Sequence, residues 1–475
     1  MNSTGALTPG LHSCKNRGAL NTGTSDGVKS ITLLTATCIV VANMIGTGIF
    51  TSLGFQVGDL HTGFSILALW FIGGICALCG ALSYAELGAA LPRSGGEYHL
   101  LGAIYHPALG FLAGWVSATV GFAAPTALAA IAFGQYLVKI VPDMPSLVLW
   151  RLGTLPPEKY IALLILLIAT LFLLRNVRLG AVFQNASTLL KVGLVLVIIG
   201  AGFFLAKTQP VSFLPAPGDG KLIMSGPFAV SLVYVMYAYL GWNASIYLAG
   251  EVRDPARVIP QSVILGTAIV MFLYLAVNAV FLLSTPPGEM AGKVEVGLIA
   301  GNHLFGASGA KIMAGLICAG LVSTISAMIW IGARVTMVMG EDMRLLRPLA
   351  RCTKYGVPVT ATLVQFGIAV VLLLSSTFSM VTTYVQFSLQ ICSFLVVLGV
   401  IVLRYTHPNL PRPYKTWGYP VTPLIFLFIS AWMLIHIWRS NPTESLWGLG
   451  TMALGLILYA ISPARPPAIS SLVSR

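Results

Sequence analysis

Residues 32–57 form an apolar run long enough to cross a bilayer, and Met44-Ile45-Gly46-Thr47-Gly48-Ile49-Phe50 interrupts it near its middle. Two glycines flanking a threonine weaken a helix at a depth where no water replaces lost backbone hydrogen bonds. Irregular backbone is tolerated there only against protein or a cavity. The interruption therefore predicts a discontinuous membrane helix. Such a break marks a place where a polar solute is held.

Charge content decides that the run is a membrane segment. Only 9% of the 475 residues are charged, and the mean hydropathy is +0.88. A soluble protein of this length could not cover its surface with so few charges. The apolar runs are continuous rather than alternating, so the chain reads as an all-α integral membrane protein and not a barrel. The net charge of +13 then records orientation rather than nucleic-acid binding.

Apolar periodicity and breakers predict twelve transmembrane helices, at 32–57, 65–91, 98–138, 160–175, 183–206, 226–250, 261–284, 310–340, 358–376, 380–404, 421–438 and 446–462. Spans 3 and 8 exceed the bilayer's need, which predicts tilt or extramembrane ends. Residues 1–30 are rich in Ser, Thr, Gly and Asn and read as a disordered cytoplasmic tail without a signal peptide. Residues 463–475 read as a second cytoplasmic tail. An even number of spans puts both termini on one side. Eighteen of the 27 Lys and Arg fall on that side and eight on the other, leaving Lys191 within a span. The positive-inside rule makes the terminal side cytoplasmic, in a multi-pass protein of the plasma (cell) membrane.

The seven cysteines avoid the loops placed outside, so no extracellular disulfide is expected. Cys76 and Cys79 lie in an apolar span without histidine or acidic neighbours. They read as small packing residues rather than metal ligands. No metal, cofactor or nucleic-acid partner is expected. No His-Glu-x-x-His, nucleophile elbow or His/Asp cluster lies in the spans, which argues against an enzyme.

Span 6 carries a second interruption, Tyr237-Ala238-Tyr239-Leu240-Gly241-Trp242-Asn243, again near mid-span. Glycine-interrupted spans at corresponding positions of two five-span halves point to an inverted-repeat transporter. Residues 31–206 and 226–404 would be the 5+5 repeats, with two extra helices at 421–462. A half-helix that starts after a break offers free N–H groups suited to a carboxylate. One that ends at a break offers carbonyls suited to an ammonium group. A zwitterionic amino acid carries both groups.

Lys191 allows two readings: a side chain snorkelling from the cytoplasmic end of span 5, or a fixed cation holding the first break through its carbonyls. Glu86, near the end of span 2, allows a proton carrier or a salt-bridged inner gate with Arg93. Glu97 and Arg334 are placed in the same cytoplasmic cluster. Ser117, Thr119, Ser323, Thr324 and Ser326 read as interhelical packing residues or as the lining of a side-chain pocket.

These residues resemble the amino acid–polyamine–organocation (APC) superfamily, and within it the L-type amino-acid transporter group, including its bacterial members. Gly46-Thr47-Gly48-Ile49-Phe50 matches the first span. Tyr84-Ala-Glu86-Leu-Gly with Pro92-Arg93-Ser94-Gly95-Gly96-Glu97-Tyr98 matches the hairpin of spans 2 and 3. Tyr237 to Asn243, with Glu251 and Pro255 to Pro260, resembles span 6 and its exit. Arg334 with Gly340-Glu341-Asp342, and Arg412 to Pro420, resemble the end of span 8 and the loop before span 11. The resemblance implies a LeuT-like fold with discontinuous helices 1 and 6. It implies secondary active transport of neutral L-amino acids, by exchange. Proton symport and polyamine or cationic-amine transport are its alternatives, and a sensor with the same site is another.

The resemblance also implies roles. Met44, Ile45, Gly46, Thr47 and Gly48 would surround the substrate's charged groups, with Thr47 and Gly48 at the carboxylate. Tyr237 would close over the substrate from outside. The carbonyls of Tyr237, Ala238, Tyr239 and Leu240 would hold the amine. Lys191 would occupy the place of a sodium ion, and Lys191, Tyr237, Glu86 and Arg93 would gate or couple transport. Leu240 stands where many members of the group have a glycine, which allows two readings: a side chain that shrinks the pocket and favours small substrates, or one that points away. Animal members join a heavy chain through an external cysteine between spans 3 and 4. Residues 139–159 contain none, so no disulfide-linked heavy chain is expected.

Overall fold

The computed structural model describes residues 31–461 apart from 94, 142, 150–152, 176, 206–208, 248, 250–251, 344 and 354–356. The two tails expected at 1–30 and 463–475 lie outside the described residues. The first interrupted run is α1 (Leu33–Met44) and α2 (Gly48–Thr51), continued by a 3-10 turn at Ser52–Phe55. Then come α3 (Gly63–Ala90), α4 (Gly96–Ile104), α5 (Pro107–Val116) and, through a π turn at Ser117–Gly121, α6 (Ala123–Ile140). A two-stranded antiparallel hairpin, β1 (Leu147–Leu149) and β2 (Gly153–Leu155), pairs Leu147 with Leu155. It precedes α7 (Pro157–Arg175) and α8 (Val177–Leu205).

After α9 (Asp219–Ile223), the second interrupted run is α10 (Gly226–Ala238) and α11 (Ala244–Tyr247). The rest is α12 (Pro255–Ser284), α13 (Pro287–Met290), α14 (Val296–Asp342), α15 (Val359–Ser375), α16 (Phe378–Thr406), α17 (Val421–Ser440) and α18 (Pro442–Ile461). Among the described residues nine helices are long and apolar enough to cross a membrane. Three shorter apolar helices, Leu189–Leu205, Gly226–Ala238 and Val359–Ser375, stand where spans 5, 6 and 9 are expected. Large apolar side chains such as Leu171, Phe203, Phe204, Phe272 and Phe428 are exposed, as lipid-facing positions would be.

Two expected spans are revised. The run at 98–138 begins with a separate helix, α4, which is not among the candidate spans. Proline at the first position of α5 holds His106 extended, at φ −155° and ψ 145°, because the residue before a proline is kept out of the helical region. The long eighth span reaches back to Val296, but its backbone bends at Gly306, where φ is 71°. Only glycine adopts that conformation without strain.

α3 packs lengthwise on α12, and α14 lies against α6 and α8. Ile31 bridges Val252 in parallel, and Arg253 N–H donates to the Ile31 carbonyl at 3.2 Å. The start of α1 and the exit from α11 therefore share one face. The two broken runs cross the molecule in opposite directions.

Candidate functional site

The breaks fall where glycine, threonine and short helical stretches meet. α1 stops at Met44 because Ile45 is extended, with ψ 90°, and α2 restarts at Gly48. α10 stops at Ala238, and Gly241 turns the chain at φ 110°. The two breaks touch twice. A Cβ on Gly48 would lie 2.5 Å from Ala238 Cα, and one on Gly241 would lie 3.0 Å from the Asn43 carbonyl carbon. At both places a glycine lets backbone meet backbone. Between them the Thr47 and Tyr237 hydroxyls are hydrogen-bonded at 2.7 Å, both side chains buried. Met44 to Gly48 and Tyr237 to Leu240 are thus brought together. Tyr239 points away, toward the Trp70 carbonyl of α3 at 3.4 Å, and Leu240 is half-buried.

A tyrosine that the sequence did not single out joins the breaks. The Tyr274 hydroxyl of α12 reaches the Met44 carbonyl at 2.5 Å and the Ala238 carbonyl at 3.1 Å. These are the last residues of α1 and α10, so one donor serves the carbonyl ends of both half-helices, where the helix dipole is negative. Tyr274 packs at 5.1 Å on Tyr239 and edge-on at 5.6 Å on Trp70. A buried phenol at mid-span needs a polar partner, and that rule alone marks Tyr274 as a residue to explain.

Lys191 sits in the middle of α8 and is only 4% exposed. Burial removes the snorkelling reading. α8 starts well before the expected span, which leaves Lys191 far from the helix end. Its ammonium donates to Thr324 Oγ1 of α14 at 2.8 Å. Lys191, Thr324, Gly320, Phe50 and Gly46 line one small cavity. The cation faces the first break across that cavity, and the hydrogen bond described for it goes to α14 rather than to a carbonyl of the break.

Beyond the breaks, two hydroxyl-centred contacts fix the opposite face. Tyr136 of α6 donates to the Phe50 carbonyl at 2.9 Å and accepts from Gly297 N–H at 3.0 Å. Phe55, Tyr234 and Phe378 form a stack, with centroids 4.9 Å and 5.7 Å from Phe55.

On the Ile31 face the expected Glu86–Arg93 gate is corrected. Glu86 is held by Arg404 of α16 through Nε at 3.0 Å and Nη2 at 2.6 Å, with Arg412 Nε at 3.4 Å and Thr416 N–H at 2.7 Å. Arg404 and Arg412 lie in and beyond the tenth expected span, too distant in sequence for local spacing to pair them with Glu86. Arg93 is half-buried, and its backbone N–H turns back to Leu91 at 2.8 Å. Glu97 and Arg334 take different partners. Glu97 accepts from Tyr84 at 2.7 Å and Asn243 at 3.2 Å, whereas Arg334 lies over the Trp330 ring at 4.5 Å.

Two antiparallel broken helices thus bring the carbonyl ends of α1 and α10 onto one hydroxyl. A sequence profile of amino acid permeases matches residues 31–459. The chain belongs to the amino acid permease family. This permease is 27% identical over 439 residues to the b(0,+)-type amino acid transporter 1 of Rattus norvegicus, covering 91% of this chain and 87% of the relative. It is 28% identical over 451 residues to the large neutral amino acids transporter small subunit 2 of Homo sapiens, covering 91% and 80%. It is 29% identical over 454 residues to the Asc-type amino acid transporter 1 of Mus musculus, again covering 91% and 80%. The permease motifs read at Gly46–Phe50 and Tyr84–Tyr98 thus point to the family that residues 31–459 match.

Proposed function

We propose that this permease is a secondary carrier of neutral L-amino acids in the cell membrane, working by alternating access and exchanging one amino acid for another. The crossing of the two breaks carries the reading. Thr47 meets Tyr237, Gly48 meets Ala238, and the carbonyl ends of α1 and α10 converge on one hydroxyl. An ammonium group suits the carbonyl ends and a carboxylate suits the N–H groups that follow the first break. No charged side chain is needed for either, so the substrate's own side chain is free to set selectivity. The named relatives are amino acid transporters, which favours the same class here.

The finer architecture belongs to the same proposal. Twelve spans are arranged as inverted halves at 31–206 and 226–404, with 421–462 appended and both termini cytoplasmic. The opposed directions of the broken runs support this. Met44, Ile45, Gly46, Thr47 and Gly48 bind substrate with Tyr237, Ala238, Tyr239 and Leu240. Tyr237 closes the outer side, and Lys191 holds the first break against α14. Glu86 anchors the cytoplasmic side. The chain works as a carrier rather than an enzyme, without a disulfide-linked heavy chain.

Proteoliposomes test the reading. Labelled neutral amino acids are expected to enter vesicles preloaded with amino acid much faster than empty ones. Equal uptake into empty vesicles refutes exchange, and uptake of polyamines in place of amino acids refutes the substrate class.

A further inference from the structure

Two carboxylates are buried toward the Ile31 face, and they differ in one respect. Glu86 has arginines: Arg404 chelates it and Arg412 stands at 3.4 Å. Glu97 is 4% exposed, and no lysine or arginine among the described residues pairs with it. Its partners are neutral donors. The Tyr84 hydroxyl of α3 donates to Oε1 at 2.7 Å, Asn243 Nδ2 to the same oxygen at 3.2 Å, and the Tyr247 hydroxyl reaches Oε2 at 3.5 Å. An ion pair fixes a carboxylate in its charged form. A buried carboxylate with neutral donors can take up a proton, because its desolvation cost is not met by an opposite charge.

The position of Glu97 gives that proton a consequence. Asn243 closes the second break and Tyr247 ends α11, so two of the three donors belong to the short half of the second broken run. The start of α4, which carries Glu97, is shaped around this half. A Cβ on Gly96, at φ 54°, would lie 2.2 Å from the Tyr247 ring. Tyr84 also stands 3.2 Å from Ser393 of α16. Glu97 therefore gathers α3, α4, α11 and α16 around one side chain.

We propose that Glu97 is a proton-binding site that latches α11: ionised, it holds Asn243 and Tyr247 in the closed arrangement, and protonated, it releases them. A carboxylate accepts several hydrogen bonds, whereas the acid must spend one oxygen as a donor. A proton on Glu97 thus loosens the contact that keeps the cytoplasmic half of the second run docked. The other titratable groups facing Glu97 are Tyr84 of α3, Tyr247 of α11 and Cys392 of α16. They are phenol and thiol groups, uncharged at neutral pH, which leaves Glu97 to change charge. Burial pushes its carboxyl above the usual carboxylate range against the pull of its three donors. This inference rests on the reading of the second break as part of a carrier's site.

Exchange of a neutral amino acid in proteoliposomes, at equal pH on both sides, tests it. In the wild type the initial rate is expected to rise about tenfold between about pH 8 and about pH 5, the worth of one charge-assisted hydrogen bond. Glu97→Gln is expected to exchange at the wild-type acid rate across the range. Tyr247→Phe removes a donor to the ionised form, so its midpoint moves to higher pH; a purely structural loss lowers the rate equally at every pH. A flat wild-type profile overturns the proposal, as does Glu97→Gln retaining the wild-type profile or an unmoved midpoint in Tyr247→Phe. Infrared pH-difference spectra read the site without transport. A carboxylic C=O band that grows on acidification and is missing from Glu97→Gln is expected, and its absence from the wild type rejects the site. No exchange at any pH, with that band present, refutes the carrier reading and leaves the proton site standing.

Discussion

Thr47 and Tyr237, 190 positions apart, share a buried hydrogen bond of 2.7 Å that joins the two helix breaks. Both are hydroxyls, so removing one strands the other. A buried neutral hydrogen bond is worth about 1 kcal/mol net. Thr47→Val and Tyr237→Phe are each expected to raise the half-saturation concentration of amino-acid exchange by about two- to tenfold. The double variant should add little to either single one, since both remove the same bond. Fully additive effects argue that the two side chains act separately.

Gly48 has no room for a side chain. The atoms it would meet are Ala238 Cα and Cβ, at 2.5 Å and 2.6 Å. The obstacle includes backbone, which cannot turn aside as a flexible side chain does. Overpacking of this kind costs about 1–3 kcal/mol, so Gly48→Ala is expected to reduce uptake about 5- to 150-fold, and Gly48→Leu to abolish substrate binding. Immunodetection in the membrane fraction separates this from failed insertion. Normal uptake by Gly48→Ala refutes the crossing.

Tyr274→Phe removes the donor shared by the Met44 and Ala238 carbonyls. An unsatisfied buried acceptor costs about 1–3 kcal/mol. The purified variant is expected to unfold at lower temperature in detergent and to lose most of its exchange activity. Tyr239→Phe is the control, because its hydroxyl makes a longer contact of 3.4 Å to the Trp70 carbonyl. Equal behaviour of the two variants argues against a special role for Tyr274.

The parts legible in the sequence were those that depend on local composition. Gly46-Thr47-Gly48 and the glycine at 241 break their helices where the backbone physics requires, and Pro107 sets a helix start that reading span 3 as one apolar run missed. Pairings across the fold were harder. Glu86 is a conspicuous acid in an apolar span, but its partner Arg404 is 318 positions away, whereas nearness in sequence points to Arg93. Lys191 was recognisable as anomalous, yet its depth followed from where α8 begins. Tyr274 lies in an ordinary apolar stretch where its phenol calls for a polar partner, but that the partners are two helix ends follows only from the fold.

Lys191 and Thr324 tie α8 to α14 at 2.8 Å beside Gly46. Lys191→Ala empties the space between these helices and removes the only charge lining that small cavity. Exchange is expected to fall to background while the protein remains in the membrane. Thr324→Val keeps the volume and removes one neutral partner, so a smaller loss of about two- to tenfold is expected. Full uptake by Lys191→Ala would remove the residue from the mechanism.

Leu240 follows Tyr239 at the second break and is half-buried against the core that includes Tyr237. Its carbonyl neighbourhood is fixed by the turn, since Leu240 N–H donates to the Tyr237 carbonyl at 3.1 Å. Its side chain is therefore the variable part of the position. Removing it opens the volume of a branched four-carbon group without changing the turn, because glycine adopts every conformation that leucine does. Leu240→Gly is expected to extend exchange to amino acids with larger side chains, measured as competition by unlabelled alanine, leucine and phenylalanine. The large competitors should gain at least about tenfold in apparent affinity relative to alanine, as each buried methylene is worth about 0.8 kcal/mol. An unchanged order of competitors places Leu240 outside the side-chain pocket and leaves selectivity to the π turn before α6 and to α14, where Thr119 and Ser326 become the next positions to vary.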